Sequence, residues 1–292
     1  MDVQSLSIVV PGGCPNKCKF CVAHMHKEEY VNQVEQNMRF RRLYEEDYTN
    51  RLAFARDNGC NTVILTGDGE PLFNTDFLDN FARMNARLAT PFRWIEIQTS
   101  GVHLDEEKLR WLRDYIKVST ISLSVSSIFS DGYNNEVLAH PTRFDVCVKY
   151  LCEQIKKYDF NLRISLNMTK DFAQYSMEDT FNRLAALGAN LVTFRKLFAE
   201  GVTPEAQWVT ENQLPSSEIL SRSLWIAEHG KVVGRLPTGA VRYSVCGVST
   251  VIDGNCMDRD GLSPAPDVMR YLILRPNAKL YTSWDDAGSI LF

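Results

Sequence analysis

From residue 6 to residue 199, short β-rich runs alternate with amphipathic helical periods, and this alternation narrows the possible folds more than any other feature of the chain. Each run with its following period reads as a βα unit, and such units in series build a mostly parallel sheet covered by helices. Six runs occur, at residues 6–10, 62–66, 94–99, 120–125, 161–166 and 191–197. The helical stripes between them are Phe77, Phe81, Met84 and Leu88; Leu109, Leu112 and Ile116; Phe144, Val148, Leu151 and Ile155; and Met177, Phe181, Leu184 and Leu187. Their spacing of three or four residues marks them as packing faces. In the fourth run Ile121, Leu123 and Val125 alternate with Ser122, Ser124 and Ser126, and the fifth sets Arg163, Ser165 and Asn167 against Leu162, Ile164 and Leu166. If the apolar faces meet the helices, the polar ones look inward, toward a ligand cavity.

With 292 residues, 45% of them hydrophobic, the chain has enough apolar side chains for a large core and is no disordered or fibrous protein. Its 36 acidic and 32 basic residues give a formal charge of −4, without the cationic excess that neutralises a phosphate backbone, so nucleic acid is a disfavoured partner. The N-terminal residues lack a basic region, and no segment has the apolar length of a membrane span, which points to a cytoplasmic protein.

Three of the eight cysteines crowd into Cys14-Pro15-Asn16-Lys17-Cys18-Lys19-Phe20-Cys21, directly after the first run. Soft thiolates so close select zinc or an iron–sulfur cluster. Structural zinc closes with four ligands, commonly two CxxC pairs, and the chain has no matching pair elsewhere. Three thiolates on a cubane leave one iron open, and an open position is where metal chemistry happens.

At this spacing, with an aromatic residue before the last cysteine, the sequence resembles the radical S-adenosylmethionine (SAM) superfamily. The resemblance implies that Cys14, Cys18 and Cys21 hold a [4Fe-4S] cluster whose fourth iron chelates SAM, with Phe20 near the adenine. Thr66-Gly67-Asp68-Gly69-Glu70-Pro71 resembles the family's GGEP-like turn, which holds the methionine amino group. Asp68 stands between the glycines, as in the family's G-x-G-E-P variants. Glycines suit such a turn by letting backbone approach a ligand or take positive φ. Gln98-Thr99-Ser100-Gly101 is similar to the T-N-G element, with Ser100 in place of asparagine. Residues 122–126 resemble the S-L-D strand of the molybdenum-cofactor cyclase-like branch, which puts Ser124 near the cofactor and Ser126 at the aspartate position. Arg163, Ser165 and Asn167 are cofactor candidates of the same kind.

The fold so implied is α/β, a partial (β/α)6 TIM-type barrel over residues 1–199, with a small C-terminal α/β extension, residues 200–292, covering the barrel edge or mouth. The implied activity is reductive cleavage of SAM to a 5′-deoxyadenosyl radical that abstracts hydrogen from a small-molecule, nucleotide or peptide substrate. A one-electron reductant of flavodoxin or ferredoxin type is implied as partner. Two rival readings stand beside it: an RNA methyl synthase, because Gly67-Asp68-Gly69-Glu70-Pro71-Leu72 resembles the G-x-G-E-P-L of such enzymes, and a non-catalytic iron–sulfur binding or electron-transfer module.

Beyond residue 200 the pattern predicts a helix over 217–229 and two hairpins, 232–236 with 240–245 and 271–274 with 280–284, turning at Pro237-Thr238-Gly239 and Arg275-Pro276-Asn277. Cys246 and Cys256 are candidates for a second cluster or a catalytic thiol, whereas Cys60, Cys147 and Cys152 read as small buried hydrophobes. His24 and His26 read as solvated or capping residues. Lys27-Glu28-Glu29 and Asp258-Arg259-Asp260 read as solvent-facing charge. Asp285-Asp286 could reach a substrate if the tail covers the mouth.

Overall fold

The computed structural model describes residues 2–25, 44–139, 145–236, 240–253, 268–284 and 289–292. Strands β1 (Asp2–Val9), β2 (Thr62–Thr66), β3 (Trp94–Thr99), β4 (Thr120–Val125), β5 (Asn161–Asn167) and β6 (Leu191–Arg195) pair in sequence order, each parallel to the next. Between them run α1 (Val22–Met25), α2 (Glu45–Asp57), α3 (Thr75–Arg87), α4 (Glu106–Trp111), α5 (Asp131–Leu138), α6 (Val148–Lys157) and α7 (Met177–Ala186). The result is an open, partial α/β barrel.

Local chemistry explains the boundaries. The Asn74 side chain accepts from Phe77 N–H to start α3, Asp105 accepts from Lys108 N–H to start α4, and Ser176 accepts from Asp179 N–H to start α7. The stripes bury as their period required: Phe77, Phe81 and Met84 on α3, Val148, Leu151 and Ile155 on α6, and Met177, Phe181 and Leu184 on α7 all pack into one core. Each such side chain withdrawn from water contributes about 1.5–3 kcal/mol. Phe144 lies outside the described residues. On β4, Ile121, Leu123 and Val125 are fully buried, and Ser122 and Ser124 line the lumen opposite.

After β6 come α8 (Pro204–Asn212), α9 (Ser216–His229), β7 (Lys231–Arg235), β8 (Val241–Val245), β9 (Val248–Asp253), β10 (Val268–Leu274) and β11 (Leu280–Tyr281). Both expected strand pairs form, β7 with β8 and β10 with β11, and the turn residues Pro237-Thr238-Gly239 of the first lie outside the described residues. The sequence pattern missed β9, which pairs parallel to β6, and the parallel pairing of β10 with β1. The described sheet thus runs β11-β10-β1-β2-β3-β4-β5-β6-β9-β8-β7. What joins β8 to β9 is a two-residue turn, Cys246-Gly247, with φ of 49° and 79°, the conformation that matches the twist of a tight hairpin. Among the described residues no helix is long and apolar enough to cross a membrane.

Candidate active site

The loop leaving β1 carries the cysteines, and Cys14, Cys18 and Cys21 all line a cavity of about 630 Å³ inside the barrel. Its path is set by backbone bonds to the end of α5: Lys17 N–H donates to Ala139 O at 3.3 Å and Lys19 N–H to Val137 O at 3.0 Å. Cys21 then begins α1, where its carbonyl accepts from His24 and Met25 N–H. Desolvation pushes the Cys14 thiol up to about 11 and raises Cys18 and Cys21 too. Among the thiols, negative charge on one raises the others: Cys14 and Cys21 act on Cys18, and Cys21 on Cys14. The same burial disfavours the thiolate form, so a metal centre would have to displace thiol protons on binding. Among the described residues no three Cys, His, Asp or Glu side chains converge as the ligands of a single ion would. Three soft sulfurs lining one cavity are donors of the kind that hold an iron–sulfur cluster.

The turn after β2 is built against this loop. A Cβ on Gly69 would stand 2.7 Å from Gly13 O and 2.8 Å from Gly12 O, and one on Gly67 would stand 2.8 Å from Val10 O. Neither glycine has positive φ. Close packing of the two loops therefore requires both glycines, which corrects the expectation that backbone handedness does.

Glu70, although 5% exposed, does not offer a free carboxylate to the cavity. Its Oε1 accepts from Thr99 Oγ1 at 2.6 Å and Leu72 N–H at 3.3 Å, and its Oε2 from Ser100 Oγ at 2.7 Å and Ser100 N–H at 2.9 Å. Ser100 Oγ in turn accepts from Asn16 Nδ2 at 2.9 Å, and Thr99 Oγ1 accepts from Gly101 N–H at 3.0 Å. Asn16, Ser100, Glu70 and Thr99 are all buried, and they tie the cysteine loop, the glycine turn and the end of β3 into one unit. Sequence reasoning misses Asn16, whose place as a polar residue between two metal-site cysteines is its one hint.

Phe20, Gly67, Asp68, Gly69, Glu70, Thr99, Ser124, Arg163 and Ser165 all share the cavity with the three cysteines. Asn167 does not line it: at the last position of β5 its Nδ2 donates to the buried Ser126 Oγ at 3.1 Å, so these two residues bind each other across the strands. Arg163 is paired inside the barrel with Glu96 at 3.1 Å. His24 lines the cavity and pairs with Glu205 of α8 at 3.3 Å, and Phe20 lies 6.3 Å from the Trp208 ring on the same helix. His24 is thus neither simply solvated nor a cap. Cys246 is exposed at its hairpin tip. Of the cysteines expected in the core, Cys60 and Cys152 are buried but Cys147 is exposed, because it precedes α6 outside the buried stripe. His26, Lys27-Glu28-Glu29, Cys256, Asp258-Arg259-Asp260 and Asp285-Asp286 lie outside the described residues.

The chain is similar to several known proteins. Residues 8–169 match the family model described as the radical SAM superfamily. A stretch of 102 residues, 33% of the chain, is 32% identical to the "Probable dual-specificity RNA methyltransferase RlmN" of Chlorobium chlorochromatii (strain CaD3), and spans 26% of that protein. In fold the chain is similar to SuiB of Streptococcus suis, at 13% identity and a TM-score of 0.58 over 96% of this chain and 60% of that one. It is similar likewise to anSMEcpe with bound AdoMet, at 14% identity and a TM-score of 0.56 over 99% of this chain and 77% of that one. Coproporphyrinogen III oxidase (HemN) from Escherichia coli, described as a radical SAM enzyme, follows at 15% identity and a TM-score of 0.50 over 80% and 54%. The matched segment covers more than half of the 292 residues, and with it the cysteine loop, the glycine turn and β2 to β5: the chain belongs to the radical SAM superfamily.

Proposed function

We propose that this protein cleaves SAM reductively at a [4Fe-4S] cluster and uses the resulting radical chemistry to take hydrogen from a bound substrate. The observation that carries the reading is the meeting of the three cysteines, the Gly67-Asp68-Gly69 turn and the polar faces of β4 and β5 in one cavity. Cys14, Cys18 and Cys21 would hold the cluster, whose fourth iron is left for SAM. Bound together, the two supply a one-electron route to hydrogen abstraction, and the protein contributes orientation and a dry cavity.

The chain's own residues divide the remaining work. Phe20 stands beside the last cysteine and offers an aromatic face to the adenine. Asp68 and the turn backbone present acceptors for the methionine ammonium, and Ser124 and Ser165 present hydroxyls on adjoining strands. Glu70 and Thr99 act as positioning residues, since their polar atoms are engaged in the network that fixes the cysteine loop. A flavodoxin- or ferredoxin-type protein would deliver the electron. We read residues 200–292 as an extension that completes the same unit, with α8 laid over the cysteine loop.

Anaerobic reconstitution with iron and sulfide, dithionite reduction with SAM, and assay of 5′-deoxyadenosine test the reading. Wild type should form it and Cys18→Ala should not; equal yields from both, with an intact cluster in the wild type, would sink the reading. RNA methylation is a second reading, supported by the likeness to the Chlorobium protein and opposed by the acidic balance of the chain. A salt-sensitive RNA shift would favour it.

A further inference from the structure

Arg163 is ion-paired with Glu96, whereas two other guanidinium groups on the cavity wall form no ion pair among the described residues. Arg195, at the last position of β6, and Arg242, on β8, both line the void, and among the described residues neither forms an ion pair or a side-chain hydrogen bond. Both are half-buried, and the Nε of Arg242 is shut away from solvent without a partner. Register brings the two toward each other. β9 lies between β6 and β8; Thr193 pairs in register with Val251 and Arg195 with Asp253, and Tyr243 pairs with Thr250, so Arg242 stands one step on, beside Val251. Two strand spacings across and two residues along place their Cα atoms roughly 12 Å apart, within reach of two arginine side chains closing on one anion. Both strands belong to the far flank of the sheet from β1, which bears the cysteine loop, and both residues come from beyond the segment matched by the family model.

A charged group on the wall of a cavity that a ligand will dry out needs an opposite charge from that ligand. We propose that Arg195 and Arg242 form an oxyanion clamp and that the substrate is an anion whose carboxylate or phosphate they grip, leaving its reacting end toward the cysteine loop. The functional part of this proposal rests on the radical SAM reading above; the anion site itself does not. Guanidinium forks suit either oxyanion, since both present paired oxygens to parallel N–H donors.

The test is thermal unfolding of the anaerobically reconstituted full chain, titrated with inorganic phosphate in one arm and succinate in the other, at an ionic strength held constant with sodium chloride. The expected result is a saturable rise in midpoint in at least one arm, and the responding arm identifies the oxyanion. Arg195→Gln and Arg242→Gln should each weaken the apparent affinity about tenfold or more, the equivalent of one charge-assisted contact. Arg195→Lys, which keeps the charge and loses the fork, should fall between Arg195→Gln and wild type. Saturating SAM should leave the response in place. No response in either arm, an equal response in the double glutamine variant, or abolition of the response by SAM would overturn the proposal, the last because the arginines would then be holding the methionine carboxylate. Failure of wild type to form 5′-deoxyadenosine would instead strike the catalytic reading and leave the titration result intact.

Discussion

The substitution Glu70→Gln isolates what the buried network contributes. A glutamine has nearly the same shape, but its amide can accept at only one end. The carboxylate accepts four hydrogen bonds, two at each oxygen. Whichever way the amide turns, its NH2 group faces two donors: Thr99 Oγ1 and Leu72 N–H on one side, or Ser100 Oγ and N–H on the other. Bonds to a charged acceptor contribute about 1.5–3 kcal/mol each, and the hydroxyl can rotate to relieve part of the conflict, so the net loss should be about 3 kcal/mol. Ser100 Oγ then also holds Asn16 less firmly, and the damage reaches the cysteine loop. Urea unfolding of the iron-free protein reads the stability, and iron retained after desalting of the reconstituted protein reads the loop. Stability within about 0.5 kcal/mol of wild type together with full iron loading would refute the idea that the four-residue network organises the site.

Gly69→Ala should be destabilising and should lower iron retention, because its Cβ meets the Gly12 and Gly13 carbonyls, and the same two assays measure it. Burial pushes the Cys60 thiol up to about 11 and the Cys152 thiol up to about 12, against an ordinary 9.0. A raised folded-state value means that these thiols lend stability in full below about pH 9 and lose it as pH climbs through 11 to 12. Alkaline unfolding of Cys60→Val should therefore lose part of its steepness between pH 9 and 11, and an unchanged profile would count against the assignment. Iodoacetamide at pH 8 should modify Cys147 and Cys246 and spare Cys60 and Cys152 in the native protein, as peptide mass mapping would show. Cys246→Ser should retain wild-type iron content, since that residue sits at an exposed turn.

How much of this was legible beforehand depended on where the determining forces act. The six parallel strands and the buried stripes on α3, α6 and α7 could be read because period and burial are coupled along a single segment. The inward serines of β4 followed from alternation alone, and the cysteine loop from its spacing. Other features arise only between distant segments. Strand β10 looks like an ordinary hairpin arm and β9 carries no pattern of its own, and nothing within either tells that its neighbour is β1 or β6. Asn16 and Ser100 meet across 84 residues, and the clash that requires Gly67 and Gly69 is with a loop more than fifty residues earlier. Asn167 shows the opposite failure. Strand alternation put it on the lumen side correctly, but at the strand's end a neighbouring serine absorbed it.

The two margins of the six-strand sheet are each completed by a segment from the last fifty residues of the chain, β9 beside β6 and β10 beside β1. During translation, β1 emerges more than 250 residues ahead of its partner β10 and waits, with one edge bare, until that strand has left the ribosome. A nascent chain in that state exposes unsatisfied backbone and apolar surface throughout the synthesis of the intervening residues, which invites chaperone capture and makes closure a late, long-range step. Truncation of even the final thirty residues would remove the cover of β1 and should turn an otherwise intact set of βα units into an insoluble product.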